Sequence, residues 1–130
     1  MRSKIVLDSY AVLSLLFGEE SGEKVKKLLK EDNEIYLNWN NLVEIYYIVQ
    51  REESKEKAIK TISLIKAWSI NLVEFDERIW LLAGDYKSKG RISFADAFAI
   101  ATAKNFNAVL VTGDPEFKPF EKEIKINWIG

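Results

Sequence analysis

Asp8, Glu44, Asp96 and Asp114 each stand in or against an apolar stretch of this 130-residue chain. Asp8 ends the run Ile5-Val6-Leu7, and Asp114 follows Val109-Leu110-Val111-Thr112-Gly113. Asp96 lies within Phe94-Ala95-Asp96-Ala97-Phe98-Ala99-Ile100-Ala101, and Glu44 within Leu42-Val43-Glu44-Ile45-Tyr46-Tyr47. An ionised carboxylate in apolar surroundings costs several kcal/mol or more, so such groups pair with a base or coordinate a metal. No basic residue stands at a fixed offset from these acids, which makes a divalent cation the economical reading. The chain has no cysteine and no histidine. Thiolate nucleophiles, zinc-thiolate sites, serine–histidine triads and histidine acid–base chemistry are therefore excluded for the chain acting alone. A metal here must be held by oxygen, which favours Mg²⁺ or Mn²⁺.

Each acid also has a plainer reading. Asp8 can cap a helix starting at Ser9. Asp114 before Pro115 can form a turn or cap. Ser93-Phe94-Ala95-Asp96 fits the capping-box pattern, with the carboxylate in the first helical turn. Glu44 could belong to a wet stripe of Asn40, Asn41, Glu44, Tyr47 and Arg51 on an otherwise apolar helix. Ser9 and Thr112 could be ordinary loop residues, or hydroxyls that orient a neighbouring carboxylate. The case rests on the set.

The elements that must position these residues follow from hydrophobic periodicity. Short apolar runs predict strands over 4–8, 34–37, 70–75, 108–112 and 125–129. Helical patterns cover 9–17, 20–31, 40–52, 55–67, 77–89 and 93–105, the last apolar on all sides and so expected to be buried. Strands alternating with helices predict an α/β fold of three α/β/α layers. Its central sheet should be short and mostly parallel, with four to five strands. Ligands of such sheets sit beyond the carboxyl ends of the strands, where Asp8 and Asp114 fall.

Composition agrees with a soluble protein of one domain, residues 1–130, with 48% hydrophobic and 30% charged residues. No apolar run approaches the ~20 residues of a membrane span. The chain enters Lys4-Ile5-Val6-Leu7-Asp8 without a signal-peptide pattern, so a cytoplasmic address is expected. A net charge of −1 makes it no general polyanion binder, and its lysine clusters read mainly as solvated faces.

The residues also match a known pattern. Val6-Leu7-Asp8-Ser9, Asn41-Leu42-Val43-Glu44, Ser93-Phe94-Ala95-Asp96-Ala97 with Ala101-Thr102-Ala103, and Val111-Thr112-Gly113-Asp114 resemble, in order and spacing, the PIN-domain proteins. Among these, the resemblance is to the small VapC-type toxins of toxin–antitoxin pairs. The resemblance implies a metal-dependent ribonuclease cutting single-stranded RNA, a homodimer, and a cognate antitoxin that holds it inactive. Carried over, Asp8, Glu44, Asp96 and Asp114 form the acidic quartet. Ser9, Thr112 and Ser93 support it, and Arg51 and Arg91 are candidate phosphate contacts.

Two departures stand out. Tyr10 replaces a usually small residue and would narrow the pocket mouth. Ile100 stands one turn after Asp96, where a second acid could be, so Asp96 is expected to serve alone on that helix. Tyr46, Tyr47, Trp68 and Trp80 could form a dimer face or an antitoxin groove, though core packing is the commoner fate of such residues. Two other readings remain: a non-catalytic interaction or RNA-binding module on the same scaffold, and an aspartyl-phosphate protein. The latter wants paired acids or Asp-x-Asp at the first strand end, where this chain has Asp8-Ser9-Tyr10.

Overall fold

The computed structural model describes residues 2–130. Five strands, β1 (Ser3–Leu7), β2 (Asn33–Asn38), β3 (Asn71–Val73), β4 (Val109–Thr112) and β5 (Ile126–Trp128), form one sheet in the order β3-β2-β1-β4-β5. All four pairings are parallel, so the sheet is wholly rather than mostly parallel. β1 is central, which is why Ile5, Val6 and Leu7 are all buried. Its side chains alternate between two cores. Ile5 and Leu7 face a cluster with Ile35, Leu37, Leu42, Ile45 and Val111. Val6 faces the other cluster, with Tyr36, Ile79, Ile100, Leu110 and Phe117.

Helices α1 (Ser9–Leu16), α2 (Gly22–Lys30), α3 (Trp39–Glu52) and α4 (Lys55–Lys66) carry the first cluster. Helices α5 (Glu77–Lys89) and α6 (Phe94–Phe106) carry the second. The three layers expected from the sequence are therefore present. α1 stops at Gly18, whose φ of +69° suits glycine. α6 ends at Asn107, the one non-glycine residue with positive φ among those described.

α6 is buried on most sides, as its composition predicts. Ala95, Ala97, Ala99, Ala101 and Ala103 are all buried, and their small volume lets the helix lie close to the sheet. Thr102 on this helix accepts a 3.0 Å hydrogen bond from the Nδ2 of the buried Asn38, tying α6 to the β2–α3 corner. The shortest strands, β3 and β5, are shorter than the apolar runs suggested, because both lie at sheet edges with a partner on one side only. Between β4 and β5 the chain forms a 3-10 helix (Pro115–Phe120) that the periodicity did not predict. Pro115 at its start and Pro119 inside it remove backbone donors and disfavour a longer α-helix.

The chain crosses from one side of β1 to the other between β3 and β4, so the strand order reverses beside β1. The crevice beyond the carboxyl ends of β1 and β4 is the place where this topology holds ligands. No helix among the described residues is long and apolar enough to cross a membrane.

Candidate active site

Four elements deliver acids to that crevice. Asp8 follows β1 and caps α1, its Oδ1 accepting from the Ala11 N–H at 2.8 Å. Asp114 follows β4 and caps the 3-10 helix, its Oδ1 accepting from Glu116 N–H at 2.9 Å. Asp96 lies in the first turn of α6, and its N–H donates to the Oγ of the cap residue Ser93 at 3.1 Å. Glu44 projects from the second turn of α3, half-buried. Asp8 and Asp114 cap as foreseen, and of the Ser93–Asp96 box the bond from Asp96 N–H to Ser93 Oγ is present. A cap occupies only one oxygen of a carboxylate, so capping and site-building coexist.

Thr112 joins two of these acids. Its hydroxyl donates to Asp8 Oδ2 at 2.5 Å and accepts from the Asp114 N–H at 3.0 Å. Asp8 is 1% exposed, with both oxygens held. Ser9 does not reach a carboxylate. Its hydroxyl donates to the Asn41 carbonyl and accepts from Asn41 Nδ2, each at 3.2 Å. Asn41 itself is fully buried, so the wet stripe proposed for α3 is corrected: Asn41 turns inward between helices, while Tyr47 and Arg51 stay exposed.

The electrostatics are those of buried acids, with like charges nearby adding to the effect of burial. Burial pushes the Asp8 carboxyl up to about 7, the Thr112 hydroxyl and Ala11 N–H draw it down, and the charges of Asp96 and Asp114 push it up. Burial likewise raises Asp96 to about 7; Ser93 lowers it, while Asp114, Glu44 and Glu116 raise it. Among the described residues, no lysine or arginine forms an ion pair with Asp8, Glu44, Asp96, Asp114 or Glu116.

Oxygens of Asp96, Asp114 and Glu116 lie within 4.8 Å of one another. Two ligands opposite each other on Mg²⁺ stand about 4.2 Å apart, so this all-oxygen set fits a hard divalent cation with small side-chain adjustments. Glu116 was not picked out from the sequence. Its exposed place after Pro115 shows no apolar context, although Asp114-Pro115-Glu116, with an acid on each side of a helix-starting proline, was the available signal. Asp96 thus gains its companion from the 3-10 helix rather than from its own helix, where Ile100 is buried. Asp8 and Glu44 stand outside that three-residue group.

The remaining expected residues are placed as follows. Tyr47 donates to Glu44 Oε2 at 3.4 Å, and the Arg51 guanidinium lies 5.0 Å from the Tyr47 ring centre, so Arg51 reaches Glu44 only through Tyr47. Burial first, and then Glu44, raise the Tyr47 phenol. Arg91 is exposed on the turn before Ser93. Tyr10 is half-buried over Gly113: a Cβ on that glycine would come 2.2 Å from Tyr10 Cε1, so the ring requires glycine there. Tyr46 and Trp68 pack on the core edge, whereas Tyr47 and Trp80 are exposed. Trp80 joins Trp39, Phe75, Phe94 and Phe98 around a mainly apolar groove of about 480 Å³, lined also by Glu74 and Asp76 but by none of the candidate-site acids.

The sequence profile of the PIN domain matches residues 5–123. No curated protein sequence matches the chain. Among solved structures, the chain is similar in fold to VapBC2 from Rickettsia felis bound to a promoter DNA fragment, at 18% identity and a TM-score of 0.74, covering 95% of this chain and 97% of that one. It is also similar to Mycobacterium tuberculosis VapC20, a Sarcin-Ricin loop cleaving toxin, at 15% identity and a TM-score of 0.72, covering 88% and 93%. A third is VapBC-5 of Mycobacterium tuberculosis, from the VapBC family of toxin-antitoxin systems, at 13% identity and a TM-score of 0.66, covering 97% of both chains.

Proposed function

The chain belongs to the PIN domain family, and on that premise we propose that it is a divalent-metal-dependent endoribonuclease, the toxin of a toxin–antitoxin pair, acting as one domain. The observation that carries the reading is the convergence of unpaired acids at the reversal of strand order. Two of them are pushed up to about 7, and none has a basic partner among the described residues. Structural acids in a fold are normally relieved by a base; a set left unrelieved is suited to a cation.

Asp96, Asp114 and Glu116 supply the closest oxygens for Mg²⁺ or Mn²⁺. Asp8, immobilised by Thr112 and the Ala11 N–H, is the rigid acid at the base of the site. Glu44, half-buried and hydrogen-bonded by the Tyr47 hydroxyl at 3.4 Å, is suited to orienting a water and taking its proton as that water attacks phosphorus; the P–O3′ bond breaks and the 3′-oxygen leaves with a proton from solvent. A divalent cation held by these acids would supply positive charge to the phosphodiester and would lower the proton affinity of the attacking water. Arg51 and Arg91 are exposed cations for flanking phosphates.

The substrate class is RNA with unpaired nucleotides, in keeping with the fold likeness to a toxin that cleaves the Sarcin-Ricin loop. The partners are a cognate antitoxin and a second copy of the chain, in keeping with the likeness to toxin–antitoxin systems and with the exposed Phe75, Trp80 and Phe94.

The test is cleavage of a panel of single-stranded and loop-containing RNAs with Mg²⁺, Mn²⁺ or EDTA, by the wild type and by Asp96→Asn. Cutting that needs the metal and vanishes in the variant is expected. Folded wild type that binds metal and cuts nothing would favour an interaction module, which the exposed aromatic groove makes the second reading.

A further inference from the structure

Asn41 is 0% exposed and stands in the first turn of α3, one turn before Glu44 and on the same face. Its Nδ2 donates to Ser9 Oγ at 3.2 Å and to the Ala95 carbonyl at 3.3 Å. Ser9 returns a hydrogen bond to the Asn41 carbonyl at 3.2 Å. Ser9 directly follows Asp8, and Ala95 directly precedes Asp96. One buried amide therefore touches the neighbours of two acids from the helix that carries a third.

The orientation of the amide is forced. The Ala95 carbonyl is an acceptor only, so the amide nitrogen must face it. Asn41 Oδ1 then has no hydrogen-bond partner among the described residues. A buried acceptor without a donor costs about 1–3 kcal/mol, whereas an apolar side chain of the same volume would carry no such cost. A residue kept mainly to stabilise the core would not be an asparagine with an unmet oxygen. The Ala95 carbonyl also has its own place in the α6 ladder, so the bond from Asn41 is not needed to satisfy it.

Resting on the nuclease reading above, we propose that Asn41 is a positioning residue. By tethering the first turns of α1 and α6 to α3, it sets the spacing of Asp8, Glu44 and Asp96 and so the site's affinity for a divalent cation. It need not touch metal or RNA to do so. Contacts of this kind around metal sites are worth about 10–100-fold in affinity or activity. Asn41→Leu keeps the branched heavy-atom skeleton, with bulkier methyl ends, while removing the tether and the unmet oxygen.

The experiment measures Mn²⁺ affinity by titration calorimetry, thermal stability in EDTA, and RNA cleavage, for wild type, Asp96→Asn and Asn41→Leu. The expected result for Asn41→Leu is a folded protein with a metal-free Tm within a few degrees of wild type, since relief of the unmet oxygen offsets the added methyl volume. Mn²⁺ should bind about 10–100-fold more weakly, with kcat falling more than KM rises. A folded Asn41→Leu whose Mn²⁺ affinity falls less than tenfold overturns the proposal. If that variant does not fold, Ser9→Ala decides, since it removes one tether alone: weakened Mn²⁺ binding in a folded protein supports the role, and unchanged binding overturns it. Folded wild type that binds no Mn²⁺ would sink the nuclease reading and this proposal together. Wild type that binds Mn²⁺ and cuts RNA beside an unimpaired Asn41→Leu would sink the positioning role only.

Discussion

Thr112 and Asp8, 104 residues apart in sequence, are joined by a 2.5 Å hydrogen bond from hydroxyl to Oδ2. Because the same hydroxyl accepts from Asp114 N–H, one threonine at the end of β4 fixes the acid after β1 and the backbone of the acid after β4.

Thr112→Val keeps the volume and removes both bonds. Losing a buried bond to a carboxylate should cost about 1–3 kcal/mol of stability at neutral pH. Cleavage should fall about 10–100-fold, because Asp8 is no longer held. Denaturant unfolding and cleavage kinetics check this, and a variant as stable and as active as wild type would contradict it.

Metal-free stability should fall as pH rises. Asp8 and Asp96 have folded values of about 7 against 3.8 unfolded, so the folded protein holds more protons between those limits. Their contribution is present at low pH and lost as pH rises through about 7, with a slope of up to ~1.4 kcal/mol per pH unit per proton. Calorimetry in EDTA should give a lower Tm at about pH 8 than at about pH 5, and added Mg²⁺ should recover most of the difference at the higher pH. A flat profile would mean that neither burial nor neighbouring charge raises these two acids.

Asp96→Asn should separate stability from function. Removing a charge from the repelling set should stabilise the metal-free protein at about pH 8 by about 1–3 kcal/mol while abolishing cleavage. A variant that is inactive because it is unfolded would fail this prediction.

Glu116→Gln should weaken Mn²⁺ binding by about tenfold while leaving Tm in EDTA within a few degrees of wild type. Glu116 is exposed, and its Asp96 and Asp114 neighbours lie within 4.8 Å. Unchanged affinity would place the cation nearer Asp8 and Glu44 instead.

Trp80→Glu should weaken self-association. Trp80 packs against Phe75, with ring centres 6.3 Å apart, and Phe75 is 82% exposed. Burying a charge in place of a central aromatic anchor typically costs 2 kcal/mol or more, about 30-fold in the dimer constant. Sedimentation velocity over a concentration series reads it, and a wild-type chain that stays monomeric at high concentration removes the dimer from the proposal.

The strand and helix order, the three layers and the four acids at apolar positions were all legible in the chain, because each rests on a local signal. A continuous apolar run marks β1, the capping-box pattern marks Ser93–Asp96, and a carboxylate after an apolar run marks Asp8 and Asp114. Local signals do not carry distance. Glu116 has no apolar neighbours to betray it and becomes part of a cation-sized group only because the 3-10 helix folds back beside α6. Asn41 read as solvent-facing because helical periodicity sees a stripe, not what packs on it; α1 and α6 close over that position and bury it completely. The residue types, and hence the all-oxygen chemistry, were set by the sequence alone. Which acids share a charge field, and which polar side chains hold them, depended on how helices far apart in the chain meet at one end of the sheet.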